Sequence, residues 1–338
     1  MIFFDVTKSA AAGHHSGLVR VSARLRDELG AGVTPVNWES WNRTAEKTDW
    51  FLTAELFSEA ERPGFWEFIK NPPCRLAAIF HDAIPLKLPR VTWPQSVARQ
   101  AEYMKMLARF DRVFAVSKAS WRDLVEFWRW QRAGPRAQVE TILLGADFDG
   151  APRVTDRSGA GPARLLCVGI LEPRKNQSFL LEVCAELWRE GLAFELHFTG
   201  RINPHFGRPV AAKIRSLRRT FPGLHFHAAA DDRTLAGLYA SATASVFPTL
   251  AEGCGLPLLE SLWRGVPCVC SDLPVLRENA DGGGCLAVAA NDAATWKAAL
   301  RAVLTDAGLT RKLRAEAGKR PLPRWADTAA ALRAVLAE

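Results

Sequence analysis

The sequence predicts an α/β protein made of two doubly wound domains, each a parallel sheet between layers of helix. Three observations carry that expectation. Short apolar runs of strand length alternate with helical patterns along the chain, which is how βαβ units read in sequence. The alternation pauses at residues 150–162, GAPRVTDRSGAGP, and then restarts in the same style; a stretch so rich in Gly, Pro, Ser and Arg reads as an interdomain linker. The chain has 338 residues, beyond the roughly 250–300 at which single cores stop growing.

The elements follow in order. Residues 2–6 read as a first strand, followed by a glycine-containing loop and a helical pattern at 18–29. Residues 75–80 form a second strand that ends at His81-Asp82. Helical patterns at 95–110 and 121–131 flank a strand at 112–116, and residues 139–144 close an N-terminal domain of residues 1–150. A linker at 151–162 leads to a second domain at 163–320. It opens on a strand at 165–168, then Gly169 and a loop, then a helix from about 177 with Asn176 as its expected cap. Strands at 194–198, 224–227, 244–247, 266–270 and 285–288 follow, and Asp231-Asp232 can cap a helix. Helical patterns at 293–304 and 309–317 end this domain, and one at 325–336 ends the chain.

Composition bounds the chemistry. Residues 1–150 carry 20 Lys and Arg against 18 Asp and Glu, and the remainder 24 against 18, so the basic excess of +8 sits mainly in the second half. A compact anionic ligand explains this better than nucleic acid, because no long Lys/Arg run or aromatic-basic interleaving appears. The seven cysteines form no C-x-x-C pair, which suits reduced, buried thiols in a cytoplasmic protein. No apolar run reaches the roughly 20 residues of a membrane span.

The most informative stretch is Glu252-Gly-Cys-Gly-Leu-Pro-Leu-Leu-Glu260. Pro257 suits the start of a helix, where its missing N–H costs nothing. The backbone N–H groups of Gly253, Cys254, Gly255 and Leu256 would then lie at a helix N-terminus, whose donors and dipole favour an anion such as phosphate. Glu260 falls three residues past Pro257, roughly 5 Å along the axis. A carboxylate at that offset can accept hydrogen bonds from ribose hydroxyls while the N-terminus holds phosphate. Glu252 lies on the other side of the loop. Taken singly, one acid could serve the helix dipole and the other be a solvated loop residue; together they frame an anion socket. Arg174 and Lys175, on the loop after the strand at 165–168, can add positive charge beside such an anion, or be a solvated loop pair.

Other motifs carry less. Asp147-Phe-Asp149 has the form of a metal-binding pair, but its place before the linker favours turn or hinge chemistry. His225 and His227 would share one strand face; no acidic partner stands at useful spacing, so an edge or core strand is the better reading. Trp121, Trp128 and Trp130 lie among Arg122, Arg129 and Arg132, and inward packing is favoured over rest on an anionic membrane. Neither a P-loop nor a convincing G-x-G-x-x-G is present.

These segments resemble the GT-B fold retaining glycosyltransferases of family 4, the glycosyl transferases group 1. The run 252–260 looks like that family's Glu-x7-Glu signature. Gly169-Ile-Leu-Glu-Pro-Arg-Lys-Asn176 resembles the first strand-loop of its nucleotide domain. Leu235-Ala-Gly-Leu-Tyr-Ala-Ser-Ala242 and Val246-Phe-Pro-Thr249 resemble the lead into the signature. Ser16-Gly-Leu-Val-Arg20 resembles the start of its first helix, and Phe80-His-Asp-Ala-Ile-Pro85 its histidine-bearing acceptor loop. Three positions depart from the pattern. Cys254 replaces a frequent aromatic, Ile170 a frequent arginine, and Gly13-His-His-Ser-Gly17 is bulkier than the usual glycine-rich loop.

The resemblance implies a GT-B architecture, two Rossmann-like domains facing a central cleft, with the last helix crossing back to brace the N-terminal domain. The C-terminal domain would bind a nucleotide-diphosphate sugar, GDP-mannose as first choice. Glu260 would hold the ribose, Arg174, Lys175 and the residue 253–256 backbone the diphosphate, and Glu252 the sugar. His81 would work at the reacting centre, with Gly17, Arg20 and Asp82 on the acceptor side. A glycan or lipid-linked acceptor, a place in surface polysaccharide or lipopolysaccharide assembly, peripheral membrane contact and retention without metal or cofactor are all family expectations. A nucleotide-sugar 2-epimerase of the same architecture and a non-enzymatic nucleotide-binding module are the alternatives.

Overall fold

The computed structural model describes residues 1–10, 17–147, 149–156, 163–228 and 230–337. It contains two parallel sheets of six strands each. Packing divides the chain into one unit of Met1–Gly145 with Pro323–Glu338, and a second of Ala146–Leu322.

The first unit runs β1 (Ile2–Asp5), α1 (Gly17–Leu29), β2 (Val33–Val36), β3 (Trp50–Thr53), α2 (Phe65–Lys70), β4 (Arg75–Phe80), α3 (Ile84–Lys87), α4 (Pro94–Leu107), β5 (Arg112–Ala115), α5 (Lys118–Trp130) and β6 (Gln138–Thr141). Its strand order is β2-β1-β3-β4-β5-β6. Sequence reasoning passed over β2 and β3. Pro35 argues against a central strand, and β2 sits at the sheet edge, where a missing N–H is tolerated. β3 is a fully buried run of four residues, too short to show a period. Aromatic side chains fill this core; Trp38 packs on both Phe65 and Phe68. Of the tryptophans on α5, Trp128 is buried and donates to the Met104 carbonyl, Trp121 donates to Val139, and Trp130 faces solvent.

The second unit runs β7 (Arg164–Val168), α6 (Gln177–Arg189), β8 (Glu195–Thr199), α7 (Arg208–Leu217), β9 (Leu224–His227), α8 (Asp232–Ser241), β10 (Ala244–Phe247), α9 (Leu256–Trp263), β11 (Cys268–Ser271), α10 (Pro274–Ala280), β12 (Cys285–Val288), α11 (Ala293–Thr305) and α12 (Ala307–Lys319). Asp231 caps α8 through the Thr234 N–H at 2.7 Å. Asn176 does not cap α6 as expected. It sits in the left-handed region (φ 56°), ending a 3-10 turn at Pro173–Lys175, and its side chain bonds Asn291 instead. All seven cysteines are free thiols.

The described part of the expected linker is strapped to the second unit. Trp263 donates to the Ala151 carbonyl at 3.0 Å, and Val154 N–H returns a bond to Trp263 O. Arg153 reaches Ala317 O at 2.6 Å, and Asp149 pairs with Arg264. The Asp-x-Asp pair thus belongs to a turn, with Asp149 spent on an arginine; Phe148 between them lies outside the described residues.

The last helix, α13 (Trp325–Leu336), belongs to the first unit, where it packs on α1. Arg333 donates to the carbonyls of Glu28 and Leu29, and Trp50 donates to Leu336 O at 2.7 Å. Gly145 permits the approach: a Cβ there would stand 2.3 Å from Trp325 N. No helix among the described residues is long and apolar enough to cross a membrane.

Candidate functional site

Topology selects the place to look. In the second sheet the order is β12-β11-β10-β7-β8-β9. The chain builds outward from β7 through β9, then crosses to β10 on the other side of β7. Loops after the two adjacent strands at such a reversal open a crevice at the sheet's carboxyl end. Here those loops are residues 169–176 and 248–255, the two segments singled out in the sequence.

Their side chains meet. Lys175 Nζ lies 2.7 Å and Arg174 Nη1 3.1 Å from Oε1 of Glu252. Thr249 Oγ1 donates to the same oxygen at 2.6 Å. Arg174 also donates through Nη1 to Ala251 O at 2.8 Å and pairs with Glu172 at 2.6 Å. Glu172 in turn accepts from Asn203. The Leu250 N–H bonds Arg174 O, so the two loops are joined by main chain as well. Lys175 and Glu252 are both buried or nearly so. Burial works against the Glu252 charge, but Lys175 and then Arg174 outweigh it and hold the carboxyl below its ordinary range. Burial likewise lowers the Lys175 ammonium, with Glu252 opposing. The result is a neutralised ion cluster, Arg174 and Lys175 against Glu172 and Glu252, at the reversal.

α9 begins beside it. Gly255 takes φ +83° as the residue before the helix, and as a glycine it offers no side-chain cap of its own. A left-handed glycine entry with Pro257 in the first turn builds the helix start from main chain. Asn279 fixes the loop by donating to Cys254 O. Burial, then the Glu252 charge, pushes the Cys254 thiol up to about 12, so it stays protonated near neutrality and is no thiolate nucleophile. One turn into α9, Glu260 is buried, with Tyr239 Oη 3.5 Å from its Oε2 and 3.3 Å from Pro257 O.

The remaining predicted residues lie in the first unit. His81 follows β4, and its Nε2 is 2.8 Å from the Ala54 carbonyl. A carbonyl only accepts, so Nε2 carries the proton. Burial pushes this imidazole down to about 4, which leaves it neutral with Nδ1 as the remaining acceptor. Asp82 Oδ1 accepts from Ile84 N–H at 2.9 Å and steadies the start of α3. Gly17 opens α1 with no described residue within 4 Å of a would-be Cβ, and Arg20 lies in the same first turn, half-buried. The bulky loop at 13–16 lies outside the described residues.

Sequence reasoning missed Thr249, Tyr239 and Asn279 as supports of this site. It also missed a buried cluster in the first unit. Arg62, fully buried, pairs with Asp5 and Glu55 at 2.6 Å each, joining the ends of β1 and β3. Those strands flank that sheet's own reversal.

The family description "Glycosyl transferases group 1" matches residues 162–306, which lie within the second unit. That match takes in most of the second unit. A serotype-specific mannosyltransferase, WbdA of Escherichia coli, is 31% identical over 244 residues, covering 67% of this chain and 29% of that protein. The O-antigen chain mannosyltransferase B of Escherichia coli is 32% identical over 184 residues, covering 52% of this chain and 47% of that one. The chain therefore spans under half the length of these curated relatives. Among solved structures, Anabaena HepE in complex with UDP superposes with a TM-score of 0.70 at 12% identity, over 99% of this chain and 98% of that one. This likeness shows the fold, the GT-B architecture of paired parallel-sheet units.

Proposed function

We propose that this protein is a retaining hexosyltransferase using a nucleotide-diphosphate sugar, with mannose as the sugar and a glycan or glycolipid as acceptor. One observation carries the reading: Lys175, Arg174 and Glu252 converge at the β7/β10 reversal, beside the glycine-led start of α9 and one turn from Glu260. In this reading the start of α9, with Lys175 and Arg174, faces the diphosphate; Glu260, steadied by Tyr239, accepts from the ribose hydroxyls; and Glu252 contacts the hexose. The mannosyltransferase names of the relatives support mannose, and GDP-mannose is the first donor to try.

The chemistry then asks for charge stabilisation more than for a protein nucleophile. As the anomeric C–O bond to the diphosphate breaks, negative charge grows on the leaving phosphate. A lysine ammonium has three donors and can keep Glu252 while turning another to that oxygen. An acceptor hydroxyl attacks from the same face and passes its proton to the departing phosphate oxygen, which gives retention. No divalent cation is assigned to this step: in this reading a Lys175 donor not spent on Glu252 and the positive end of α9 meet the growing charge. His81, neutral with Nε2–H tied to Ala54 O, would use Nδ1 as an acceptor toward substrate. Gly17, Arg20 and Asp82 would serve the acceptor.

The test is a screen of GDP-, UDP-, ADP- and dTDP-hexoses by thermal shift, followed by assay of nucleoside diphosphate release with the stabilising donor. Stabilisation by one donor, with release that rises when a mannan or lipid-linked glycan is added, supports the reading. An epimerised donor without acceptor would make the protein an epimerase. Binding without turnover on any donor would make it a nucleotide-binding module.

A further inference from the structure

Three of the seven histidines gather on one patch of the second sheet. β8 and β9 pair in parallel with His197 opposite His225 and Thr199 opposite His227. Side chains two apart on a strand share a face, so Glu195, His197, His225 and His227 all project from the same side. Leu196, Phe198 and Leu224 point to the other side and are buried in the core. The spacing His225-x-His227 alone offered no acidic partner; the register supplies one, Glu195, from the neighbouring strand.

The contacts are close. His197 stacks on His225 with ring centroids 4.4 Å apart, and its Nδ1 lies 3.0 Å from Nε2 of His227. Its Nε2 lies 3.1 Å from Oε2 of Glu195. Arg164 also pairs with that Oε2, at 2.6 Å, so none of these contacts uses Oε1 of Glu195. One donor atom from each of Glu195, His197 and His225 lies within 4.8 Å of the others. An ion bound at about 2.1 Å separates its ligands by roughly 3.4 Å, so modest side-chain adjustment closes the set. His197 is buried while Glu195 and His225 are half-exposed, which anchors one ligand and leaves a path from solvent.

We propose that Glu195, His197 and His225 bind a transition-metal ion of the zinc class at the β8/β9 edge. Imidazole and carboxylate donors suit such an ion better than magnesium or calcium, which prefer oxygen throughout. β9 is an edge strand with one neighbour, and an ion ligated from both strands would pin it. The role is structural, separate from the sugar-transfer site, and stands whether or not the proposed transferase reading holds.

The experiment uses untagged protein stripped with chelator and titrated with Zn2+ by calorimetry, and with Co2+ by visible absorption. The wild type binds one equivalent that His225→Phe, which keeps the ring stack but removes the nitrogens, weakens by about tenfold or more. Glu195→Gln weakens it in the same direction, and His205→Ala leaves it unchanged. Circular dichroism confirms that each variant is folded; if His225→Phe does not fold, Glu195→Gln decides. Absence of saturable binding, or wild-type affinity in the folded variants of this cluster, overturns the proposal.

Discussion

Lys175 Nζ and Glu252 Oε1 lie 2.7 Å apart, although 77 positions separate them in the chain. The pair ties the loop after β7 to the loop after β10 at the point where the sheet reverses direction. Each charge is removed from water and answered by the other, so neither is a freely solvated surface group.

Lys175→Met leaves Glu252 buried with Arg174 as its remaining cation at 3.1 Å. Breaking a buried pair costs about 3–5 kcal/mol, and Arg174 should hold the loss toward the lower end. Equilibrium urea unfolding would show it. Lys175→Arg should recover most of the stability but little of the activity, because a planar fork replaces a compact ammonium.

The depressed Glu252 carboxyl also sets a pH dependence. Its folded pKa lies below the unfolded value, so the pair's contribution is complete above the unfolded carboxylate range and is lost as pH falls through the folded pKa. Thermal melts from pH 7 downward should fall more steeply below the ordinary glutamate range in the wild type than in Glu252→Gln. Parallel profiles would show that the pair contributes nothing.

His81 has the same sign. Its folded pKa of about 4 lies below the usual imidazole value, so its contribution is complete above about 6.5 and shrinks as pH falls toward 4. The imidazole resonances of His81 should therefore not titrate between about pH 5 and 8. A midpoint near 6.5 would remove the neutral-acceptor role.

Much of this was legible in order along the chain, and some was not. The run 252–260 and the loop 173–175 announced themselves because a helix start and a strand-end loop are local features. Their partners did not. Thr249, Tyr239 and Asn279 carry ordinary side chains whose contacts exist only once β10, α8 and α10 are in place. Glu195 joined His225 only through the β8/β9 register, and Arg62 met Asp5 and Glu55 across three separate segments. The Asn176 cap failed because Asn also suits the left-handed backbone, and the 3-10 turn before it used that property instead.

Gly145 offers a purely structural check. A methyl group 2.3 Å from Trp325 N must displace the start of α13 or the strand end before it. Gly145→Ala should lower stability by about 1–3 kcal/mol, the usual cost of overpacking, and speed proteolysis near residue 325. An unchanged melting temperature would contradict this packing.

The central claim is that the Lys175–Glu252 cluster and Glu260 bind and activate a nucleotide-sugar. Steady-state release of nucleoside diphosphate from the donor found in the screen, measured for the wild type, Lys175→Ala and Glu260→Ala, tests it most directly. Lys175→Ala should lower kcat by about 100-fold or more, the scale set by loss of a group that stabilises developing charge. Glu260→Ala should raise donor KM by roughly 10–100-fold, matching one or two charge-assisted hydrogen bonds. Both effects should persist with EDTA in the assay, with no gain on adding Mg2+. Wild-type turnover in both variants would contradict the account.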